Sequence, residues 1–289
     1  MKKIAVTLAN GQLGSRVIKQ LTQKIGVENV VGIARTPSKA KYLGVEIRKA
    51  DYNSFDDFNK ALQNIDTLLL ISGVDEPTTR IKQHQNIIKA AQKNNLKKIV
   101  FTSVIGNLEN TSFKPILQIN RQTETDIINS KINWSIGRNS LYIEPDLEYI
   151  DTYKEIGAII NSANNGKCGY TSRNELAIAY TNMLLHKKHN NKTYNLLGEP
   201  ITQQQLADAI NEEYDTNISY KAISVEEFLK DRSKALGDFL GTIISSIYEN
   251  IKKESFNIKS DFETVTGRKH KSLLELIQTF KRENNGIKN

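Results

Sequence analysis

The chain has 289 residues, of which 38% are hydrophobic and 25% charged, with one cysteine and a formal net charge of +8. That balance excludes collagen, disorder and disulfide scaffolds, and it leaves a globular chain with enough apolar material for a sizeable core. The positive excess does not read as a nucleic-acid surface: residues 1–145 hold 21 Lys and Arg against 12 Asp and Glu, singly or in pairs and without interleaved aromatics, and residues 146–289 hold 19 against 20.

The basic start, Met1 to Lys3, precedes an apolar run that Asn10, Gly11, Gln12 and Arg16 break too early for a signal peptide. No window is long enough to span a bilayer, so no membrane partner is expected. Ile4 to Leu8 reads instead as a buried strand, followed by a turn and a helix whose Leu13, Val17, Ile18, Leu21 and Ile25 share one face. Val30 to Ile33 is a second strand and completes a unit of strand-helix-strand size. The alternation continues through a short strand at 45–47, a helix over 55–62, a strand at 67–71, a helix over 80–94, a strand at 98–102, a helix over 116–130 and a strand at 132–137. Continuous apolar strands between helices mean a parallel sheet covered on both faces. Beyond about residue 140 the rhythm weakens into helical patterns at 148–162, 175–186, 203–213 and 239–253, with strand-like pieces at 193–196 and 218–220. The expected architecture is α/β, with a doubly wound parallel sheet in residues 1–140 and a smaller, mostly helical lobe in 141–289 that shares strands with it.

Cys168 stands alone, which removes a structural disulfide or cysteine zinc site and fits a reducing cytoplasm. The four histidines are scattered without ligand spacing, so no metal is expected. The residues that carry chemistry begin in the first turn, Asn10-Gly11-Gln12-Leu13-Gly14. Dinucleotide folds need glycine there for a tight turn and close backbone approach to pyrophosphate, while the helix N-terminus supplies amide donors. At the end of the second strand a NAD-binding fold places Asp or Glu on the ribose 2'-hydroxyl. Here Ile33-Ala34-Arg35-Thr36-Pro37-Ser38-Lys39 puts a guanidinium in that place and an ammonium one turn on. A guanidinium can take a 2'-phosphate bidentately, so the register points to NADP.

Several segments now form an ordered set: Thr7 to Gly14, Ala34 to Lys39, Ala50-Asp51-Tyr52, Leu68 to Ile71 ending at Ser72, Gln83-His84-Gln85-Asn86, and Phe101-Thr102-Ser103. Trp134 to Asn139, Tyr142, Gly166-Lys167, Ser172 to Glu175 and Tyr194 to Gly198 extend it over most of the chain. The set resembles the NmrA-like atypical short-chain dehydrogenases, most nearly their NADPH:quinone oxidoreductase group. The resemblance implies a Rossmann domain with NADP(H) across the strand ends and a cleft toward the small lobe for a quinone-like acceptor; it leaves a homodimer open. Asn10, Gly11, Gln12 and Leu13 would wrap the pyrophosphate, with Gly14 at the helix start, and Arg35 with Lys39 would meet the 2'-phosphate. Asp51 and Tyr52 would lie by adenine, and Ser72 and Gly73 by the ribose and pyrophosphate. Arg138 would stand near the nicotinamide, with Asn139 and Tyr142 forming the acceptor face.

Two departures stand out. Leu8 replaces the glycine that follows the strand Thr, and the helix that reads His-x-Glu-Thr-Glu-Lys in relatives is here Asn120-Arg121-Gln122-Thr123-Glu124-Thr125. The Tyr-x-x-x-Lys dyad of ordinary short-chain dehydrogenases occurs only as Tyr248 to Lys252, far beyond the sheet, so no catalytic side chain is assigned. Hydride addition to a quinone needs little acid-base help, because the product oxygen is phenolate-like, with a conjugate acid near pKa ~10. A redox-sensing regulator that binds NADP without catalysis is the alternative reading. A sugar-nucleotide epimerase shares the fold but needs the missing dyad. His84 and Trp134 are expected to pack, Tyr149 and Tyr153 to pack as aromatics within the lobe, and Cys168 to be unreactive.

Overall fold

The apolar runs of the N-terminal half assemble side by side into one parallel sheet. The computed structural model describes residues 3–108, 111 and 113–285. β1 (Ile4–Val6) leads into α1 (Gln12–Ile25), β2 (Val30–Ala34), β3 (Glu46–Lys49), α2 (Phe55–Ala61), β4 (Thr67–Ile71), α3 (Pro77–Lys93), β5 (Lys98–Val104), α4 (Lys114–Asn129) and β6 (Asn133–Asn139). The chain continues with α5 (Glu144–Glu148), α6 (Ile150–Ile156), β7 (Ala158–Asn161), β8 (Cys168–Gly169), α7 (Arg173–Leu185), β9 (Lys192–Leu196), β10 (Pro200–Ile201), α8 (Gln203–Tyr214) and β11 (Ser219–Ala222). It closes with α9 (Val225–Leu236), α10 (Asp238–Lys252), α11 (Phe262–Thr266) and α12 (Leu273–Asn285).

The main sheet runs β3-β2-β1-β4-β5-β6-β9, and each neighbouring pair is parallel. Strand alternation divides its apolar residues between two layers. Leu68, Leu70, Ile99 and Phe101 pack under α2, α3 and α4, and Val6, Leu69, Ile71 and Val100 pack toward α1 and α7. Both faces are therefore buried, which is what unbroken Val, Ile and Leu runs require. A third cluster, around Leu147, Ile159, Tyr170, Leu206, Ile251 and Ile277, is the core of the lobe. α7 and β9 return from that half of the chain to the first sheet, α7 beside α1 and β9 against β6.

The helix expected over 148–162 is instead two short helices and a strand. Gly157, at φ 74°, ends α6 in the left-handed region, and the β-branched Ile159 and Ile160 pair with Tyr220 and Lys221. The first strand stops at Val6, short of Leu8, because Leu8 leaves the extended region. Helix α9, which periodicity does not single out, starts at a capping box in which Ser224 and Glu227 satisfy each other's backbone amides. Ser272 and Glu275 repeat that exchange ahead of α12.

His84 is fully buried on α3, where its Nδ1 lies 2.8 Å from Thr123 Oγ1 of α4. The Thr123 hydroxyl proton goes to the Ile119 carbonyl, so the imidazole Nδ1–H is the donor and Nε2 keeps a lone pair without a partner. Burial, with help from the Arg80 charge, pushes the His84 pKa down to about 3. The unfolded chain then binds a proton near pH 6.5 that the folded chain refuses. Stability contributed by neutral His84 is complete above about pH 6.5 and is lost as pH falls toward 3. Melting curves from pH 7 to 4 should show a shallower acid loss in His84→Gln than in the wild type; equal slopes would refute this.

Candidate functional site

Ligands of open parallel sheets bind outside the carboxyl ends of the strands where the strand order reverses, here between β1 and β4. Thr7 holds that junction. Its hydroxyl donates to the Leu69 carbonyl (3.2 Å) and accepts the Ile71 amide (2.9 Å). The Tyr52 hydroxyl lies 2.6 Å from Thr7 Oγ1 and 2.8 Å from the Ile71 carbonyl, its one proton shared between them. Leu8 then turns back with φ 50°, a left-handed conformation that costs an L-residue about 1–2 kcal/mol. Its carbonyl accepts the Gly11 amide at 2.8 Å. A Cβ on Gly14 would overlap that same carbonyl oxygen, so only glycine lets α1 begin so close to β1. The N-cap of α1 is Gly11, without a side-chain cap, and the first turn has no acidic residue, which leaves its amides and positive dipole end available to an anion.

A cleft of about 320 Å³ opens above this turn, lined by Asn10, Gly11, Arg35, Lys39, Asp51, Tyr52 and Gly73 among the residues expected from sequence. Arg35 and Lys39 are exposed at its rim, and neither joins an ion pair among the described residues. The Tyr52 ring forms part of the wall, but its hydroxyl is committed to Thr7 and Ile71, and burial pushes its pKa up. Asp51 accepts the Asn53 amide and so shapes its own turn. Gln12, Leu13, Gly14 and Ser72 are not on the wall: Gln12 accepts from Arg16, and Leu13 and Gly14 are buried in the helix start. Ser72 is held through its amide by Thr102 Oγ1, and its own hydroxyl is buried without a partner. Sequence reasoning missed Gln83, which reaches from α3 to Asn53 (3.1 Å) and Asp75 (2.5 Å) and lines the same cleft. The run Gln83 to Asn86 was its available signal.

A second cavity, about 400 Å³, lies farther along the same edge at the ends of β5 and β6, and Arg138 lines it. Its guanidinium holds Glu124 through Nε (3.0 Å) and Nη2 (2.6 Å). Arg121 grips the same carboxylate at 2.7 Å, and Ser103 Oγ donates to it at 2.6 Å. Burial pushes the Glu124 carboxyl up, but the bonds from Arg138 and Ser103 and the two arginine charges outweigh it and hold it below the usual range. Asn139 is 7% exposed, its amide oxygen taking the Tyr180 hydroxyl (2.6 Å) and its amide nitrogen reaching the Tyr142 hydroxyl (3.3 Å). Burial raises the Tyr142 pKa, so it is a neutral phenol at neutral pH. Neither Asn139 nor Tyr142 lines either of these two cavities.

The residues fit a dinucleotide with an extra phosphate. An uncapped glycine turn and two unpaired cations at the end of β2 are each short of one partner, an anion. Comparison with known proteins agrees with this geometry. A family model for NAD(P)H-binding proteins matches residues 9–185. Quinone oxidoreductase 2 of Escherichia coli (strain K12) is 33% identical over 229 residues, which cover 78% of this chain and 79% of that protein. The solved structure of an NADPH-dependent quinone oxidoreductase from E. coli, complexed with NADPH, has a TM-score of 0.89 at 28% identity and covers 96% of this chain and 99% of its own. Triphenylmethane reductase of Citrobacter sp., complexed with NADP(H), has a TM-score of 0.88 at 32% identity with the same coverage.

The strain at Leu8 is directly measurable. Alanine there keeps the left-handed conformation and loses the half-buried side chain, and glycine loses the side chain but relieves the backbone. Leu8→Gly should therefore be about 1 kcal/mol more stable than Leu8→Ala in denaturant unfolding. Equal midpoints would mean that Leu8 carries no strain.

Proposed function

The chain belongs to the NAD(P)H-binding family, in its NmrA-like group, and on that premise we propose that it transfers hydride from NADPH to a quinone or similar conjugated carbonyl. The observation that carries the reading is the single cleft in which the glycine turn of α1 and the Arg35–Lys39 pair face one another. Asn10, Gly11, Gln12, Leu13 and Gly14 would supply the pyrophosphate end with amides and a helix dipole. Arg35 and Lys39 would neutralise a 2'-phosphate, which NADH lacks. Asp51 and Tyr52 would flank the adenine side, and Ser72 and Gly73 the ribose.

When bound, the reduced nicotinamide supplies the hydride. The protein's contribution is placement, since reduction of a carbonyl already conjugated needs no side chain to remove a proton. Hydride addition puts an electron pair on the acceptor oxygen, and that phenolate-like oxygen takes a proton from water or from a phenol such as Tyr142. Burial keeps Tyr142 protonated but also makes it the weaker acid, so water is the better donor of the two. Asn139, locked by Tyr180, would hold that phenol and Arg138 would border the acceptor. E. coli quinone oxidoreductase 2, 33% identical in sequence and matched again as a solved structure, supports the acceptor class. The site draws on one chain, so a homodimer is not required by it. Nucleic acid has no part in the reading, and the lone buried Cys168 suits a reducing cytoplasm. Among the described residues no helix is long and apolar enough to cross a membrane.

Purified protein should oxidise NADPH when a simple quinone is added. Binding of NADPH without quinone-dependent oxidation would favour the regulator instead. NADPH should bind more tightly than NADH, and Arg35→Ala should narrow the gap by about 1.5–3 kcal/mol, the loss of one charge-assisted contact. Calorimetric titration of both nucleotides decides this, and equal wild-type affinities would end the assignment of the 2'-phosphate site.

A further inference from the structure

The second cavity has a charge imbalance that its structural role does not require. One arginine paired with Glu124 would tie α4 to the ends of β5 and β6. Here two do so, and the pair of guanidiniums shares a single carboxylate. Arg121 spends its remaining donors on the Ser103 hydroxyl and on the carbonyls of Val104 (3.1 Å) and Gly106 (3.0 Å). Arg138 keeps Nη1 without a partner among the described residues, and its side chain remains 31% exposed while that of Glu124 is 7% exposed. Among the described residues no acidic one lines the cavity, whose other walls include the apolar Ile105, Leu108 and Ile258 and the neutral polar Asn107, Asn195 and Ser255. Among the described residues one net positive charge thus faces the cavity, between apolar walls that could take a ring and polar ones that could hydrogen-bond it. The cavity lies beyond the strand reversal from the Arg35 cleft, on the half of the sheet that the nicotinamide end of a dinucleotide would reach.

We infer that the acceptor this protein prefers is an aromatic carbonyl compound carrying one negative charge, an ionised hydroxyquinone or a carboxylated or sulfonated quinone, whose anion is received by Arg138 beside Arg121. The inference rests on the reading of the chain as a quinone-type reductase and adds the charge of the substrate. It also sets the chain against cationic acceptors such as the basic triarylmethane dyes, which would meet a like charge.

The test uses the full chain, saturating NADPH, and 1,4-naphthoquinone beside its 2-sulfonate. The ratio of kcat/KM for the sulfonate to that for the parent quinone removes any change common to both. In Arg138→Gln this ratio should fall roughly tenfold, the loss of a charge-assisted contact. Arg138→Lys should retain most of it, and added KCl should lower it in the wild type. An unchanged ratio in a folded Arg138→Gln protein would overturn the inference. If that variant does not fold, a wild-type ratio indifferent to added KCl does the same. Crystal violet should become a better acceptor in Arg138→Gln, and no improvement counts against the proposal. Should no acceptor be reduced at all, the reductase reading fails, and the inference is then decided by calorimetry on the NADP⁺-loaded protein. Naphthalene-2-sulfonate binding that weakens about tenfold in Arg138→Gln sustains an anion site, and binding equal in both proteins overturns it.

Discussion

Thr7 Oγ1 sits between β1 and β4, donating to one carbonyl and accepting one amide, at the gap where the strand order reverses. Without it the Ile71 amide would be left unpaired in a buried setting, which costs about 1–3 kcal/mol, while the Leu69 carbonyl would keep only the Thr7 amide. The same hydroxyl anchors Tyr52, and Tyr52 closes the wall of the cleft. From that fixed point the chain has four residues, Leu8 to Gly11, in which to reverse direction before α1 begins at Gln12. The left-handed backbone at Leu8 and the missing side chain at Gly14 are therefore one device: the first turns the carbonyl inward and the second leaves room for it.

The cleft and the second cavity place cationic side chains at two points along the carboxyl edge of the sheet, in settings of different kind. At the end of β2 the cations are exposed and unpaired, suited to a phosphate that arrives with its own water. At the ends of β5 and β6 the guanidiniums are partly buried and held in one orientation by Glu124 and by backbone carbonyls. Fixed donors lose little freedom on binding, which favours selectivity over mere attraction.

A larger hollow, about 560 Å³, lies at the opposite, amino ends of the strands near Ile4, Thr67, Lys98 and Asn133. Its position is wrong for a ligand of an open parallel sheet, and the lysines that open β5 are already engaged. Lys97 pairs with Asp66, while Lys98 donates to the Met183 (2.6 Å) and His186 (3.3 Å) carbonyls at the end of α7, burial lowering its pKa to about 8. Lys98 thus satisfies a helix terminus, as a cation there should.

Order of elements, parallel sheet and glycine turn were legible because each is written in local pattern: unbroken apolar runs, a 3.6-residue period and glycines at fixed offsets. Arg35 was legible because its register to the turn is a short-range property of one strand-helix-strand unit. The lobe was read less well, since 158–161 could serve as helix or strand until its partner at 219–222 was present. The Glu124 network was not legible at all. Its members come from β5, α4 and β6, and nothing in Arg121 or Arg138 alone tells whether a carboxylate will neutralise one, both or neither. Likewise the sequence presented Leu8 as an obstruction, and only the folded backbone resolved it into a left-handed residue whose carbonyl serves the turn. What the sequence determined was each segment's own preference; tertiary structure alone decided which polar groups lose their water together, because hydrogen bonding and charge pairing depend on neighbours brought from distant parts of the chain.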